Sequence, residues 1–269
     1  MVYVERAPGA DLRPWIRSMW YCCAPEVPHA RERVLPNGCM QVLVNLAAES
    51  LTDCGDDGKR EVKTSGALVM GARSRYEIVA TKDMAEIAGV VIEPGGFAGM
   101  FGMRADLLRG SSASLDEVWS GTGGMLAERL REAEGGEGKL CLLEAMLRSR
   151  LRVGVQRSWM VDAALLGMRG PGMTVRECAR EIGVRERRLL AVFREEVGMG
   201  PKAWMRVQRF QRAAEALHRG LDVRWAELAL ACGYYDQSHF ANDFQEFSGV
   251  DPTTYSRERG RWQNHVAMP

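Results

Sequence analysis

The last third of this chain repeats itself. Residues 177–201 read ECAREIGVRERRLLAVFREEVGMGP, and residues 227–252 read ELALACGYYDQSHFANDFQEFSGVDP. Glu177, Ala179 and Gly183 recur fifty positions later as Glu227, Ala229 and Gly233. After one inserted residue, Phe193, Gly198, Pro201 and Trp204 recur as Phe244, Gly249, Pro252 and Tyr255. A repeat of this period is one supersecondary unit used twice, and two copies are too few for a self-stacking solenoid.

The unit reads as two helices around a tight turn. Thr174-Val-Arg-Glu177 has the spacing of a capping box, in which Thr and Glu satisfy each other's backbone N–H groups. Gly183 suits the left-handed backbone that ends the first helix, and a second helix is expected over about 185–197. Ala179 is small enough for that helix to cross closely, with Leu189 and Phe193 turned back as core. The second copy repeats the logic with Asp222 as cap, then Ala229, Gly233, Phe240 and Phe244. Between the copies, residues 201–219 predict one long helix with Val207, Phe210, Ala214 and Leu217 as its apolar stripe and Pro201 in its first turn. Such a helix-turn-helix presents its second helix to the DNA major groove.

The rest of the chain has room for a second domain, since 269 residues exceed one ordinary domain. Residues 1–93 predict short strands, among them 40–46, 67–70, 76–80 and 85–92, punctuated by turn formers such as Pro36-Asn37-Gly38. That pattern suits a small barrel or sandwich. From Pro94 the period changes to that of helices, notably 125–133 and 139–152, split by the glycines of 134–138. A further helix at 158–168 ends at Arg169-Gly170-Pro171-Gly172. No apolar run approaches the roughly 18 residues of a membrane span and no secretory signal opens the chain, so a cytoplasmic protein without membrane association is expected. Net charge is +1, but unevenly spread: residues 154–269 carry 17 Arg/Lys against 14 Asp/Glu, the remainder 19 against 21. This asymmetry is too small to establish a nucleic-acid partner alone.

The segment from about Met173 to Arg257 resembles the DNA-binding domain of the AraC/XylS family of transcription regulators, above all in FREEVGMGPKAWMRVQRFQRA and GYYDQSHFANDFQEFSGVDPTTY. The resemblance implies two helix-turn-helix units bridged by one helix, with their second helices in successive major grooves of double-stranded promoter DNA. It places Arg187, Leu190 and Ala191 at the bases in the first unit, and Gln237, Ser238 and Asn242 in the second. Arg187 suits guanine, Gln237 adenine, and Leu190 and Ala191 thymine methyl groups. Arg185, Arg188 and Arg194 would meet phosphates, and His239 would support the helix start or a phosphate. Ala191 and Asn242 depart from the arginines that often stand there in the family.

The segment 35–151 resembles a cupin-like domain found at the front of some AraC-family regulators, through LPNGCMQVLVNL, VMGARSRYEI and GVVIEPGGFAGMFGMRADLLRGSSASLDEVW. Asn37 and Gln41 stand where relatives often carry aspartate. A barrel of this kind can hold a small ligand. The candidate lining is Trp20, Met40, Val42, Val44, Met70, Tyr76, Val90 and Ile92, with Arg73, Arg75 and Glu93 available to orient a polar group. No metal and no cofactor is expected: the four histidines (29, 218, 239 and 265) form no cluster in sequence and only His29 lies in the N-terminal half. Seven scattered cysteines form no paired motif.

The expected architecture is α+β. Residues 1–155 form an N-terminal cupin-like β-barrel with following helices, 156–172 a linker helix and loop, and 173–269 a C-terminal all-α domain with two helix-turn-helix units. Three readings follow. The first is a non-enzymatic transcription regulator controlled by a small-molecule effector, with RNA polymerase and a second copy of the chain as partners such a protein can have. The second is an effector-independent regulator whose barrel only oligomerises. The third is a DNA-repair protein acting through Cys22, Cys23, Cys39 or Cys54.

Overall fold

Period-two alternation in the first half of the chain resolves into strands with one face more deeply buried than the other. In the structure, a computed structural model that describes every residue except 25, 56, 57, 60, 171, 221–223 and 269, these strands form two antiparallel sheets. The larger contains β1 (Val2–Arg6), β2 (Ile16–Cys23), β4 (Gln41–Asn45), β7 (Ala67–Met70), β9 (Glu86–Ile92) and β10 (Ser112–Ser114), in the order β1-β2-β9-β4-β7-β10. The smaller contains β3 (Arg31–Val34), β5 (Ser50–Asp53), β6 (Val62–Ser65), β8 (Glu77–Ala80) and β11 (His265–Met268), in the order β11-β3-β8-β5-β6.

The α+β class stands, with one change: the cupin-like barrel is an open sandwich. Among the described residues no ladder joins one sheet to the other. Closure needs strands that continue around the corner, whereas here the chain turns sharply after β4. The Asn45 side chain fixes that turn, accepting from the N–H groups of Ala47 (3.0 Å) and Ala48 (3.1 Å) and donating to the carbonyls of Ser50 (3.0 Å) and Asp83 (2.7 Å).

Helices α1 (Phe97–Phe101), α2 (Leu115–Val118), α3 (Thr122–Glu132) and α4 (Gly135–Arg150) come after β9 in the chain, with β10 between the first two. They cover the face of the larger sheet that carries Met19, Val42, Val44, Val69 and Val90, all of them essentially sealed from solvent. α3 stops where buried Lys139 of α4 donates to the carbonyls of Leu130 (2.6 Å) and Ala133 (3.0 Å), satisfying groups a helix end leaves open.

Among the described residues, seven further helices precede β11: α5 (Trp159–Gly167), α6 (Val175–Glu181), α7 (Glu186–Val197), α8 (Pro201–His218), α9 (Trp225–Ala231), α10 (Gln237–Ser248) and α11 (Pro252–Glu258). Among the described residues, two large apolar cores and a small one of Cys54, Ile78 and Ala80 in the smaller sheet hold the molecule. The first runs without a break from the larger sheet through Met168, Cys178, Leu189 and Phe193 to Trp204 near the start of α8. The second gathers Val207, Phe210 and Leu217 of α8 with Phe240, Phe244, Phe247 and Tyr255, and also takes in Leu35 and Val266. The first helix-turn-helix thus shares its core with the sandwich. At the seam, Gly198 ends α7 with φ +86, and a Cβ there would lie 3.3 Å from the Ala105 carbonyl, closer than comfortable packing. Among the described residues no helix is long and apolar enough to cross a membrane.

Candidate nucleic-acid interface

Both repeats build the same turn. In the first, the Thr174 hydroxyl accepts from Glu177 N–H (3.2 Å) while the Glu177 carboxylate accepts from Thr174 N–H (2.9 Å), a complete capping box. Hydrogen bonds from the Thr174 hydroxyl and then from the Thr174 N–H hold the Glu177 carboxyl below the ordinary carboxylate range. Gly183 follows at φ +74, and Val184 N–H returns to Ala179 O at 2.9 Å. In the second, Gly233 stands at φ +86 and Tyr234 N–H returns to Ala229 O at the same 2.9 Å. Asp222 lies outside the described residues, and α9 starts behind Arg224 with no side-chain cap.

What the turns present differs. On α7, Leu189, Val192, Phe193 and Val197 are buried, while Arg187, Arg188, Ala191 and Arg194 are exposed and Leu190 is half-buried; Arg185, the residue before the helix, is exposed too. None of these four arginines has an ion pair or side-chain hydrogen bond among the described residues, so their charge is free for a polyanion. On α10, Gln237, Ser238 and Asn242 are exposed and none is basic. Asp236 caps this helix, accepting from His239 N–H at 2.7 Å, and the His239 ring stands edge-on to Tyr234 with Nδ1 3.4 Å from Tyr235 N.

Sequence reasoning missed what anchors α10. Asp243, buried beneath it, pairs with Arg206 of α8 at 2.7 Å and lies 3.7 Å from Arg209. Arg206 also reaches Glu246 at 2.6 Å, and Arg209 lies over the Tyr234 ring at 5.2 Å. These two guanidiniums of α8 are therefore committed to holding α10 and its turn in place. An acid spaced for the buried side of α10, opposite two arginines of α8, was the signal available.

The N-terminal candidates separate by strand register. Trp20, Gly89, Leu43 and Leu68 lie in one row across the larger sheet, and Ser18, Val91, Gln41 and Met70 in the next. These rows face the smaller sheet, where Val34 and Glu77 are paired across β3 and β8. Trp20 and Met70 therefore lie on the inner face. Met40, Val42, Val44, Val90 and Ile92 belong instead to the buried cluster under the helices and do not line the inter-sheet space. Tyr76 turns away too: its ring lies under Arg33, 5.5 Å from the centroid, against Gly249 beyond α10. Arg73 is at the cleft, 3.2 Å from Glu77. Arg75 lines it as well, while Glu93 pairs with Arg17 at 2.9 Å. The cleft bounded by Asn37, Cys39, Gln41, Met70, Arg73 and Glu77 is partly open and measures about 20 Å³.

All seven cysteines are free. Burial pushes the Cys39 thiol up to about 11 and raises those of Cys22 and Cys54, so none of the three carries the depressed pKa of a nucleophile.

Two helix-turn-helix units on one bridging helix, with exposed second helices, have the architecture of a DNA-binding domain. Residues 178–258 match the family model described as a helix-turn-helix domain, and residues 4–114 match a domain of unknown function, DUF6597. The chain thus carries a helix-turn-helix domain in its C-terminal part and that second domain in its N-terminal part. No curated protein matches the sequence. Among solved structures, the C-terminal domain of AraT, a response regulator from Geobacillus stearothermophilus, is 25% identical with TM-score 0.37, covering 38% of this chain and 87% of that one. An AraC-type regulator from Chromobacterium violaceum is 21% identical with TM-score 0.35, covering 38% and 93%. ToxT from Vibrio cholerae is 8% identical with TM-score 0.48, covering 96% and 98%.

Proposed function

We propose that this chain is a transcription regulator of the AraC type that reads an asymmetric promoter site with a single chain and takes a small effector between its two sheets. The observation that carries the DNA reading is the contrast between the exposed faces of α7 and α10. Four free guanidiniums flank Leu190 and Ala191 on the first, while the second offers neutral Gln237, Ser238 and Asn242. Arg187 is suited to the paired acceptors of guanine, Gln237 to adenine, and Arg185, Arg188 and Arg194 to phosphates. Residues 173–269 serve as the reader, 156–172 as the connection and 1–155 as the effector domain. Selection of duplexes from a random pool tests this: it should enrich two unlike half-sites about one helical turn apart. A palindromic site, or no enrichment at moderate salt, refutes it.

The effector reading draws on the chemistry of the inner sheet faces. Trp20 and Met70 supply half-buried apolar walls, and Arg73 supplies a guanidinium whose Nε is buried with no hydrogen-bond partner. To regulate, an effector must bind one domain arrangement better than another. The second reading, an effector-independent regulator whose sandwich serves oligomerisation, is favoured by the cavity volume, about 20 Å³, near the space one water needs. A thermal-shift screen of metabolites separates the two. A compound that raises Tm and changes DNA affinity supports the first, and a silent screen with a stable dimer in solution supports the second.

A further inference from the structure

We propose that the C-terminal strand β11 is the positioning element of the second helix-turn-helix, fixing α10 relative to α7 by docking on the N-terminal sandwich. The inference rests on the DNA reading above. After α11 the chain does not trail away. It folds back and pairs antiparallel with β3, His265 opposite Val34 and Met268 opposite Arg31, occupying what would otherwise be an open sheet edge.

The segment is tied at both ends. On the DNA-binding side, the Tyr255 hydroxyl donates to Gln263 O at 2.6 Å, and Gln211 of α8 donates to the Asn264 side chain at 2.9 Å. On the sandwich side, Leu35 N–H donates to Asn264 O at 2.8 Å, the His265 ring meets Glu32 at 2.7 Å, and Trp262 lies against Tyr3 with ring centroids 4.2 Å apart. Val266, 2% exposed, is a member of the second unit's own core.

A second attachment reinforces the first at the same helix. Gln211 also donates to Pro36 O at 2.7 Å and Gln208 to Asn37 O at 3.2 Å. Gly38, at φ +76, lets this loop lie on α8: a Cβ there would come 2.9 Å from Gln208 Nε2 and 3.3 Å from Trp204.

The consequence is geometric. The first unit is held by the core it shares with the larger sheet, the second by the edge of the smaller sheet. Apart from α8, the sandwich is what relates the two reading helices. Gln237, Ser238 and Asn242 remain exposed with the strand docked, as do Arg187 and Ala191, so docking hides no reading face. It sets their separation in advance, and two linked modules gain from each other only when geometry allows both to engage.

The test uses duplexes recovered by selection, with both half-sites, with the first alone, and with the spacing lengthened by half a turn. Anisotropy titrations compare the wild-type chain, a chain ending at Arg261, and the milder full-length Q211A, each checked for a cooperative melt. Both variants should lose affinity for the two-site duplex, the truncation by at least about tenfold. They should also lose the wild-type preference for the correct spacing while binding the first half-site as before. Variants that keep wild-type affinity and spacing preference overturn the proposal, and so does an equal loss on the single half-site, which marks general damage. A wild-type chain that binds none of the duplexes overturns the DNA reading itself.

Discussion

Replacing Arg185, Arg188 and Arg194 together with alanine tests the division of labour between the two reading helices. All three are exposed and have no acidic partner among the described residues, so removing them breaks no folded-state bond. Substitutions at such surface positions usually change stability by no more than about 0.5 kcal/mol each. Arg185 occupies the cap position of α7 but makes no side-chain capping bond, so it follows the same rule. Each guanidinium on a phosphate contributes about −0.9 to the slope of log affinity against log salt, so three contribute about −2.7. Between 50 and 200 mM salt, a fourfold change, that slope corresponds to a loss of about 40-fold. The advantage of wild type over the triple variant should therefore shrink by about 40-fold across that range. Anisotropy titrations on one selected duplex at four salt concentrations measure it, with Q237A/N242A as the comparison, whose slope should equal that of wild type. A wild-type-to-triple ratio that stays constant with salt would refute the reasoning, as would an equal change of slope in the neutral pair.

Three further outcomes are expected. R187A should lose about 1–3 kcal/mol of binding on its preferred duplex and far less on a duplex changed at the one guanine it reads, measured by competition. Glu144 is buried, and although burial opposes its charge, Gly9 N–H, Arg6 and Arg148 outweigh that effect and hold its carboxyl below the usual range. Its ionised form therefore stabilises the fold fully at neutral pH and loses that effect as pH falls below about 4.3 toward the depressed value. E144Q should lower Tm at pH 7 and flatten the acid limb of a Tm–pH profile; a profile parallel to wild type would sink this account. At Gly89 an added Cβ would overlap the Trp20 ring, so G89A should displace the indole at a cost of roughly 1–3 kcal/mol in urea melts. An unchanged midpoint would show that the ring moves freely.

The helix-turn-helix units were legible because their determinants are local. The box at Thr174 and Glu177, the glycines at 183 and 233 and the proline at 201 each act within one turn of helix, and the repeat confirms the register. Strand faces were harder. Period two separates Val42 and Val44 from Gln41 and Leu43, but does not say which set meets helices and which meets the second sheet. The more apolar set, with Met40, Val90 and Ile92, goes under α1–α4, and the mixed set faces the cleft. β3 reads Arg-Glu-Arg-Val, without an apolar period, and is a strand through its neighbours β8 and β11. β11 is a four-residue strand that begins seven residues after α11 ends and pairs along the edge that β3 offers. Open-sandwich topology likewise depends on the corner at Asn45, a set of contacts reaching as far as Asp83.

The duplication makes the two units equal in scaffold and leaves them unequal in support. Opening α7 means breaking into a core continuous with the larger sheet, from Phe193 to Val90. Opening α10 means disrupting a smaller cluster whose apolar links to the sandwich include Leu35, Val266 and Tyr76, beside the hydrogen bonds of Gln208 and Gln211. Local opening free energy follows how much buried apolar contact an element shares with the rest of the fold, so the second unit is the one that separates from the sandwich first. The same unit carries no free arginine on its reading helix, and so has little non-specific electrostatic hold on DNA. Its contribution depends on arriving already oriented. A unit less firmly held, reading with neutral side chains, responds more to small changes in its attachment than the first unit, which shares the larger core and exposes four unpaired arginines. Any signal from the sandwich that reaches DNA therefore travels more readily through α8 and β11 to α10 than through α7.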